Sequence, residues 1–126
     1  MKAVIQRVSQ ASVTIEGSEK SSIEKGYLIL LGICNEDSQE DIDWLVHKIV
    51  NLRIFDDENG VMNLSVEDIG GEIMVVSQFT LHASCKKGNR PTYIRASKPD
   101  FAKPMYEKFV EKMQQTFGKD VKTGVF

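Results

Sequence analysis

The sequence predicts an α+β (α/β) domain in which a mostly antiparallel sheet is packed by two main helices. Three observations carry this. Period-two alternation opens the chain, continuous apolar runs of strand length recur at 27–34 and 73–76, and two stretches carry apolar residues at helical spacing. The resulting order is strands, helix, strands, helix, strand, with no linker, repeat or low-complexity tract, so residues 1–126 read as a single domain.

The elements follow in order. Residues 2–8 alternate as a strand, with Val4, Gln6 and Val8 on one face and Ala3, Ile5 and Arg7 on the other. Ala11 to Glu16 alternates again, Gly17-Ser18 marks a turn, and Ser21 to Glu24 returns as a short hairpin strand. The unbroken apolar run Tyr27–Cys34 is the pattern of a strand covered on both faces. Asp37 or Ser38 then caps a helix, with Glu40 or Asp41 completing a capping box. Its stripe is Ile42, Leu45, Val46, Ile49 and Val50, and His47 lies off it at the surface.

Leu52–Phe55 reads as a strand entering the turn Asp56–Gly60, from which Val61–Leu64 returns. The turn accounts for Asp56, Asp57 and Glu58 without a metal. Ile73–Phe79 is a further buried strand, and residues 82–96, which lack periodicity, form a loop. Ser97 or Lys98 starts the second helix, Pro99 sits in its first turn, and Phe101, Met105, Phe109, Met113 and Phe117 recur every four residues. Pro104 bends this helix or marks where its regular part begins, and Gly118 stops it. Val121–Phe126 opens a last strand.

Composition narrows the function. No apolar run approaches the ~20 residues of a membrane helix, and the N-terminus turns polar too soon for a signal peptide. Cys34 and Cys85 therefore read as reduced cytosolic thiols in a cytoplasmic protein. His47 and His82, the only histidines, lack paired zinc spacing, so neither a metal nor a cofactor is expected. Net charge is −2, yet Lys86, Lys87, Arg90, Arg95, Lys98 and Lys103 crowd one stretch against Asp100 alone. Such a patch suits either a phosphate backbone or plain solvation.

The chemistry is sought where the buried strand runs into Ser77-Gln78-Phe79-Thr80-Leu81. Apolar residues fix the backbone there, and polar ones emerge within reach of a ligand. Unpaired N–H groups at a strand end can stabilise an oxyanion, whereas the hydroxyls can equally bond to nearby backbone. Two rival readings stand beside this one. A Ser- or Cys-dependent hydrolase would use Ser77 or Cys85 with His82. A non-catalytic RNA-binding module would need a strand of stacking aromatics, and none is apparent.

Ser77-Gln78-Phe79-Thr80-Leu81 also resembles the signature of the D-aminoacyl-tRNA deacylases, formerly called D-tyrosyl-tRNA deacylases. The resemblance extends to Met1–Val8 with Ala11-Ser12-Val13, to Gly26–Ile33, to Lys48–Phe55 and to Gly88-Asn89-Arg90-Pro91, in order along the chain. It implies a sheet curled toward a barrel and a homodimer with its site at or near the subunit interface. It also implies hydrolysis of the ester joining a D-amino acid or glycine to the terminal adenosine of tRNA. The backbone N–H groups of Gln78 and Phe79 are then the oxyanion donors, with water and the tRNA 2′-hydroxyl supplying the attack.

Thr80 is the side-chain nucleophile such enzymes have been credited with, although the hydroxyl would need a base and only His82 lies near in sequence. Ser77, Leu81 and Arg7 become substrate-side residues, Arg7 acting across the dimer, and Lys86, Lys87 and Arg90 meet the tRNA acceptor end. The resemblance breaks at the C-terminus. Family members continue past Thr123-Gly124-Val125-Phe126 into a strand carrying a cis Gly-Pro pair that excludes L-amino acids. A longer gene product with that pair is therefore expected.

Overall fold

The computed structural model describes every residue from Met1 to Phe126. Strand β1 (Lys2–Val8) follows its alternation, turning Ala3 and Ile5 inward. Strands β2 (Ala11–Ile15) and β3 (Ser18–Ile23) form a hairpin. The return strand starts three residues earlier than expected because the turn is Glu16-Gly17, both at positive φ, which matches the twist of the flanking strands. Strand β4 (Gly26–Gly32) buries Tyr27, Ile29 and Leu31 completely and leaves Leu28 and Leu30 half-buried.

Helix α1 (Gln39–Asn51) is capped by Ser38, whose backbone N–H donates to the Asp41 carboxylate at 2.8 Å. Strand β5 (Phe55–Asp56) is only two residues long, shorter than the expected 52–55, since Leu52–Ile54 makes no ladder. It pairs with β6 (Met62–Leu64) across a turn in which Gly60 alone, not Asn59, takes positive φ. Strand β7 (Glu72–Ser77) stops two residues short of the expected end, because Phe79–Leu81 winds into a 3₁₀ turn.

Helix α2 (Pro99–Phe117) starts after Lys98 and ends on Gly118 at φ 76°. It runs through Pro104, whose absent N–H leaves one carbonyl a turn earlier without its helical donor. Its buried stripe is Ala102, Met105, Tyr106, Phe109, Met113 and Phe117, so Phe101, expected inside, stands partly in solvent. Strand β8 (Lys122–Thr123) closes the chain's regular structure.

The main sheet has the order β1-β4-β7-β8. Antiparallel pairing joins β1 to β4 and also builds both two-stranded ribbons, whereas β4–β7 and β7–β8 are parallel. One sheet face carries Tyr27, Ile29, Leu31, Ile73 and Val75 into a common core with Ile42, Val46 and Ile49 of α1 and Met105, Phe109 and Met113 of α2. On the other side the β2–β3 hairpin reaches the β8 end, where the Ser21 hydroxyl donates to the Thr123 carbonyl at 2.6 Å. This arrangement fixes β7 between two parallel neighbours and aims its C-terminal end, beyond Ser77, at the edge of the core.

Candidate active site at the end of strand β7

Ser77 lies opposite Leu31 in the parallel ladder, and the Gln78 N–H continues that ladder by donating to the Leu31 carbonyl at 2.8 Å. The chain then tightens. Leu81 N–H donates to the Gln78 carbonyl at 3.3 Å and His82 N–H to the Phe79 carbonyl at 3.1 Å. A 3₁₀ turn leaves its first N–H groups without partners inside the turn. Those of Phe79 and Thr80 donate to no backbone carbonyl outside it. The unspent donor pair is therefore Phe79 and Thr80, one residue beyond the Gln78–Phe79 pair expected from the sequence.

Glycine makes the turn's position possible. A Cβ on Gly32 would lie 2.9 Å from Leu81 Cβ and 3.2 Å from the Gln78 carbonyl oxygen, so the turn rests directly on the end of β4. The Gln78 side-chain amide donates to the Thr80 hydroxyl, and no base contacts that hydroxyl. Ser77 is half-buried and Leu81 half-buried, the latter's carbonyl accepting from Lys2 Nζ at 3.2 Å.

A cavity of about 680 Å³ opens beside the turn, lined by Ser77, Gln78, Phe79, Tyr93, Ile94 and Phe126 among others. Its rim is apolar yet open: Phe79 is 57% exposed and Ile94 86%. The Phe79 and Tyr93 rings meet edge to face at 5.6 Å. Sequence reading missed Tyr93, Ile94 and Phe126. The visible signal was the apolar Tyr93-Ile94 pair set inside an otherwise polar, basic loop.

Comparison with known proteins decides the family. Residues 4–126 match the family described as D-Tyr-tRNA(Tyr) deacylase. The D-aminoacyl-tRNA deacylases of Flavobacterium johnsoniae and Parabacteroides distasonis are 64% and 66% identical over the whole chain, which spans 84% of each relative. The chain belongs to the D-Tyr-tRNA(Tyr) deacylase family. A solved structure titled c-Myc DNA Unwinding Element Binding Protein superposes with a TM-score of 0.94 at 44% identity, covering all of this chain and 85% of that one. A probable eukaryotic D-amino acid tRNA deacylase shares the fold at a TM-score of 0.81 and 16% identity, covering 98% of this chain and 87% of that one.

Within this deacylase-family fold the remaining candidates scatter. Arg7 sits opposite Tyr27, at the far end of β4 from Leu31 and Ser77, roughly 13 Å away along the strand. Its guanidinium donates to the Ile54 carbonyl at 2.9 Å and pairs with Asp56 at 3.5 Å. Lys86, Lys87 and Arg90 occupy the exposed tip of a hairpin closed by mutual Ser84–Thr92 hydrogen bonds, and none is in an ion pair.

His82 is not on the Thr80 side of an extended strand, since the turn intervenes and buries its ring. Cys85 is exposed on the hairpin, and His82 clusters instead with buried Cys34 and Asp37. The Ser- or Cys-hydrolase arrangement with His82 is thus not assembled. Burial, and then a hydrogen bond to Glu36, push the Cys34 thiol up, and the same thiol contact, chief among several, lowers the Glu36 carboxyl. No helix is long and apolar enough to cross a membrane.

Proposed function

We propose that this chain hydrolyses the ester between a D-amino acid and the terminal adenosine of tRNA, releasing free amino acid and tRNA. One observation carries the reading: the Phe79 and Thr80 N–H groups are left without backbone acceptors beside an open aromatic cavity. An aminoacyl ester is already activated, so a donor pair and a placed water suffice. As water attacks, the carbonyl oxygen gains charge and takes both N–H bonds; the C–O bond to the ribose then breaks and the 3′-oxygen leaves with a proton. The adenosine 2′-hydroxyl assists the water, and no cofactor is needed.

In this mechanism the Thr80 hydroxyl is held by Gln78 rather than attacking, and Ser77 and Leu81 shape the substrate side. Phe79 and Tyr93 offer a platform on which the terminal adenine can stack. Lys86, Lys87 and Arg90 project where acceptor-stem phosphates can be met. Glycyl-tRNA fits the same chemistry, because a substrate without a side chain meets no steric exclusion.

We also assign a homodimer with the site at or near its interface. Val4, 43% exposed, and half-buried Leu28 and Leu30 share one sheet face, an apolar strip that a second copy would cover. Arg7 would reach a site only from such a partner. The reading places the protein in the cytoplasm with its tRNA substrate. Incubation with D- and L-tyrosyl-tRNA tests the function: free D-tyrosine should appear in proportion to enzyme. No release of D-tyrosine above the spontaneous rate refutes the proposal. Light scattering of the purified protein decides between monomer and dimer.

A further inference from the structure

Away from the donor turn, three buried side chains converge from separate parts of the chain. Cys34 follows β4, Asp37 precedes α1, and His82 caps the 3₁₀ turn. The Cys34 sulfur, a carboxylate oxygen of Asp37 and a ring nitrogen of His82 all lie within 4.8 Å of one another. Each residue is at least nine-tenths buried. His82 Nε2 is the one buried side-chain nitrogen or oxygen in the molecule without a hydrogen-bond partner. An orphaned imidazole nitrogen on a ring that clusters with a thiol and a carboxylate needs an explanation, because burying a polar atom unpaired is costly.

We infer that Cys34, Asp37 and His82 form a zinc site that clamps the donor turn to the junction of β4 and α1. Sulfur, imidazole and carboxylate are the ligand set zinc takes, and in a tetrahedral site their atoms sit about 3.5 Å apart. Closing from 4.8 Å needs side-chain movement of roughly an ångström. The thiol gives up its proton to solvent as the Zn–S bond forms.

The charges balance. With Cys34 bound as a thiolate, it, Asp37 and neighbouring Glu36 would bring three negative charges, and the Met1 ammonium, 2.5 Å from Asp37 Oδ1, offsets one of them. A divalent ion neutralises the other two. Asp37 Oδ2 accepts the Cys34 N–H at 2.8 Å, the kind of supporting bond that orients a ligating carboxylate. A cavity of about 430 Å³, lined by Cys34 and His82, gives an entry path and room for water as the fourth ligand. Gly32 completes the arrangement, since a Cβ there would lie 3.1 Å from the His82 ring.

The test uses purified protein stripped by a chelator and then titrated with Zn²⁺ or Co²⁺. The expected result is one ion per chain, a thiolate-to-cobalt charge-transfer band, and a raised Tm. Cys34→Ser and His82→Gln should each weaken Zn²⁺ binding at least tenfold, whereas Cys85→Ser and His47→Gln should not. Absence of the thiolate–cobalt band in the unmodified protein overturns the proposal, and this readout does not depend on any variant folding. Binding that survives in Cys34→Ser and His82→Gln, or disappears in Cys85→Ser, overturns it as well. Neither result bears on tRNA hydrolysis, which is read separately.

Discussion

The N–H of Gln78 is bound to the Leu31 carbonyl at 2.8 Å, so the ladder between β4 and β7 ends one residue past β7. In the proposed mechanism, oxyanion stabilisation consequently falls to Phe79 and Thr80. Replacing the backbone amide with an ester, by incorporating an α-hydroxy acid at position 79 or 80, should lower kcat for D-tyrosyl-tRNA about 10²–10³-fold. The same replacement at 78 should chiefly lower Tm. Single-turnover rates and melting curves separate the outcomes, and a kcat loss at 78 equal to that at 80 would contradict the assignment.

Thr80→Ala should retain activity within a few-fold, since the hydroxyl is engaged by Gln78 and touches no base. A substrate whose terminal adenosine lacks the 2′-hydroxyl should react about 10²–10⁴-fold more slowly. Full activity on the deoxy substrate together with a dead Thr80→Ala enzyme would restore threonine as nucleophile.

The basic hairpin tip predicts a salt effect. Lys86→Ala, Lys87→Ala and Arg90→Ala, combined, should raise KM for aminoacyl-tRNA with little change in kcat. Each lost phosphate contact should flatten the log–log salt dependence of binding by about 0.7. A slope identical to the parent's would mean that the three cations only meet water.

Gly32→Ala separates positioning from stability. The added Cβ would press on Leu81 and on the Gln78 carbonyl, moving the turn rather than a flexible side-chain end. Overpacking of this kind costs about 1–3 kcal/mol, while a displaced donor loses up to about 10²-fold in rate. The expected signature is a kcat loss larger than the drop in Tm explains. Gly124→Ala, whose Cβ would find Val13 at an ordinary 3.6 Å, serves as the control and should change neither.

Tyr106 links stability to pH. Its hydroxyl donates to the Val75 carbonyl at 2.6 Å, and burial pushes its pKa up to about 12. Tyr27, also buried, is raised to about 12 against a small opposing influence from Arg7. Between the unfolded tyrosine value near 10 and 12, the unfolded chain has released these protons and the folded one still holds them. Stability is therefore full below pH 10 and falls as pH rises toward 12. Tyr106→Phe should cost about 0.5–1.5 kcal/mol at neutral pH by removing its hydrogen bond to the Val75 carbonyl. It should also melt with a shallower alkaline decline than the parent.

Elements governed by local period were legible in the sequence: β1 was read residue for residue, and the α1 stripe buried as patterned. Departures arose where tertiary contacts outweigh local pattern. Phe101 follows the four-residue spacing of α2, but four residues overshoot a helical turn slightly, and Ala102 and Tyr106 take the inward face. The strand was expected to run on to Phe79, yet the chain leaves the sheet at Gln78 because β4 ends at Gly32.

The pentapeptide 77–81 pointed to the proposed site, whereas which N–H groups stay free depends on a ladder with a distant strand. Cys34, Asp37 and His82 show no ligand spacing because two different turns bring them together.

Strand β7 has no hydrogen-bonded neighbour close to it in the chain: its ladders begin at Gly26↔Glu72 on one edge and Met74↔Lys122 on the other. Such pairings bear their loop-closure entropy before any contact rewards it, so they form late in folding. The helices can take shape from local contacts well before that. A refolding chain should accordingly show most of its helical circular dichroism while still catalytically silent, with activity returning only in the slower phase that docks β7.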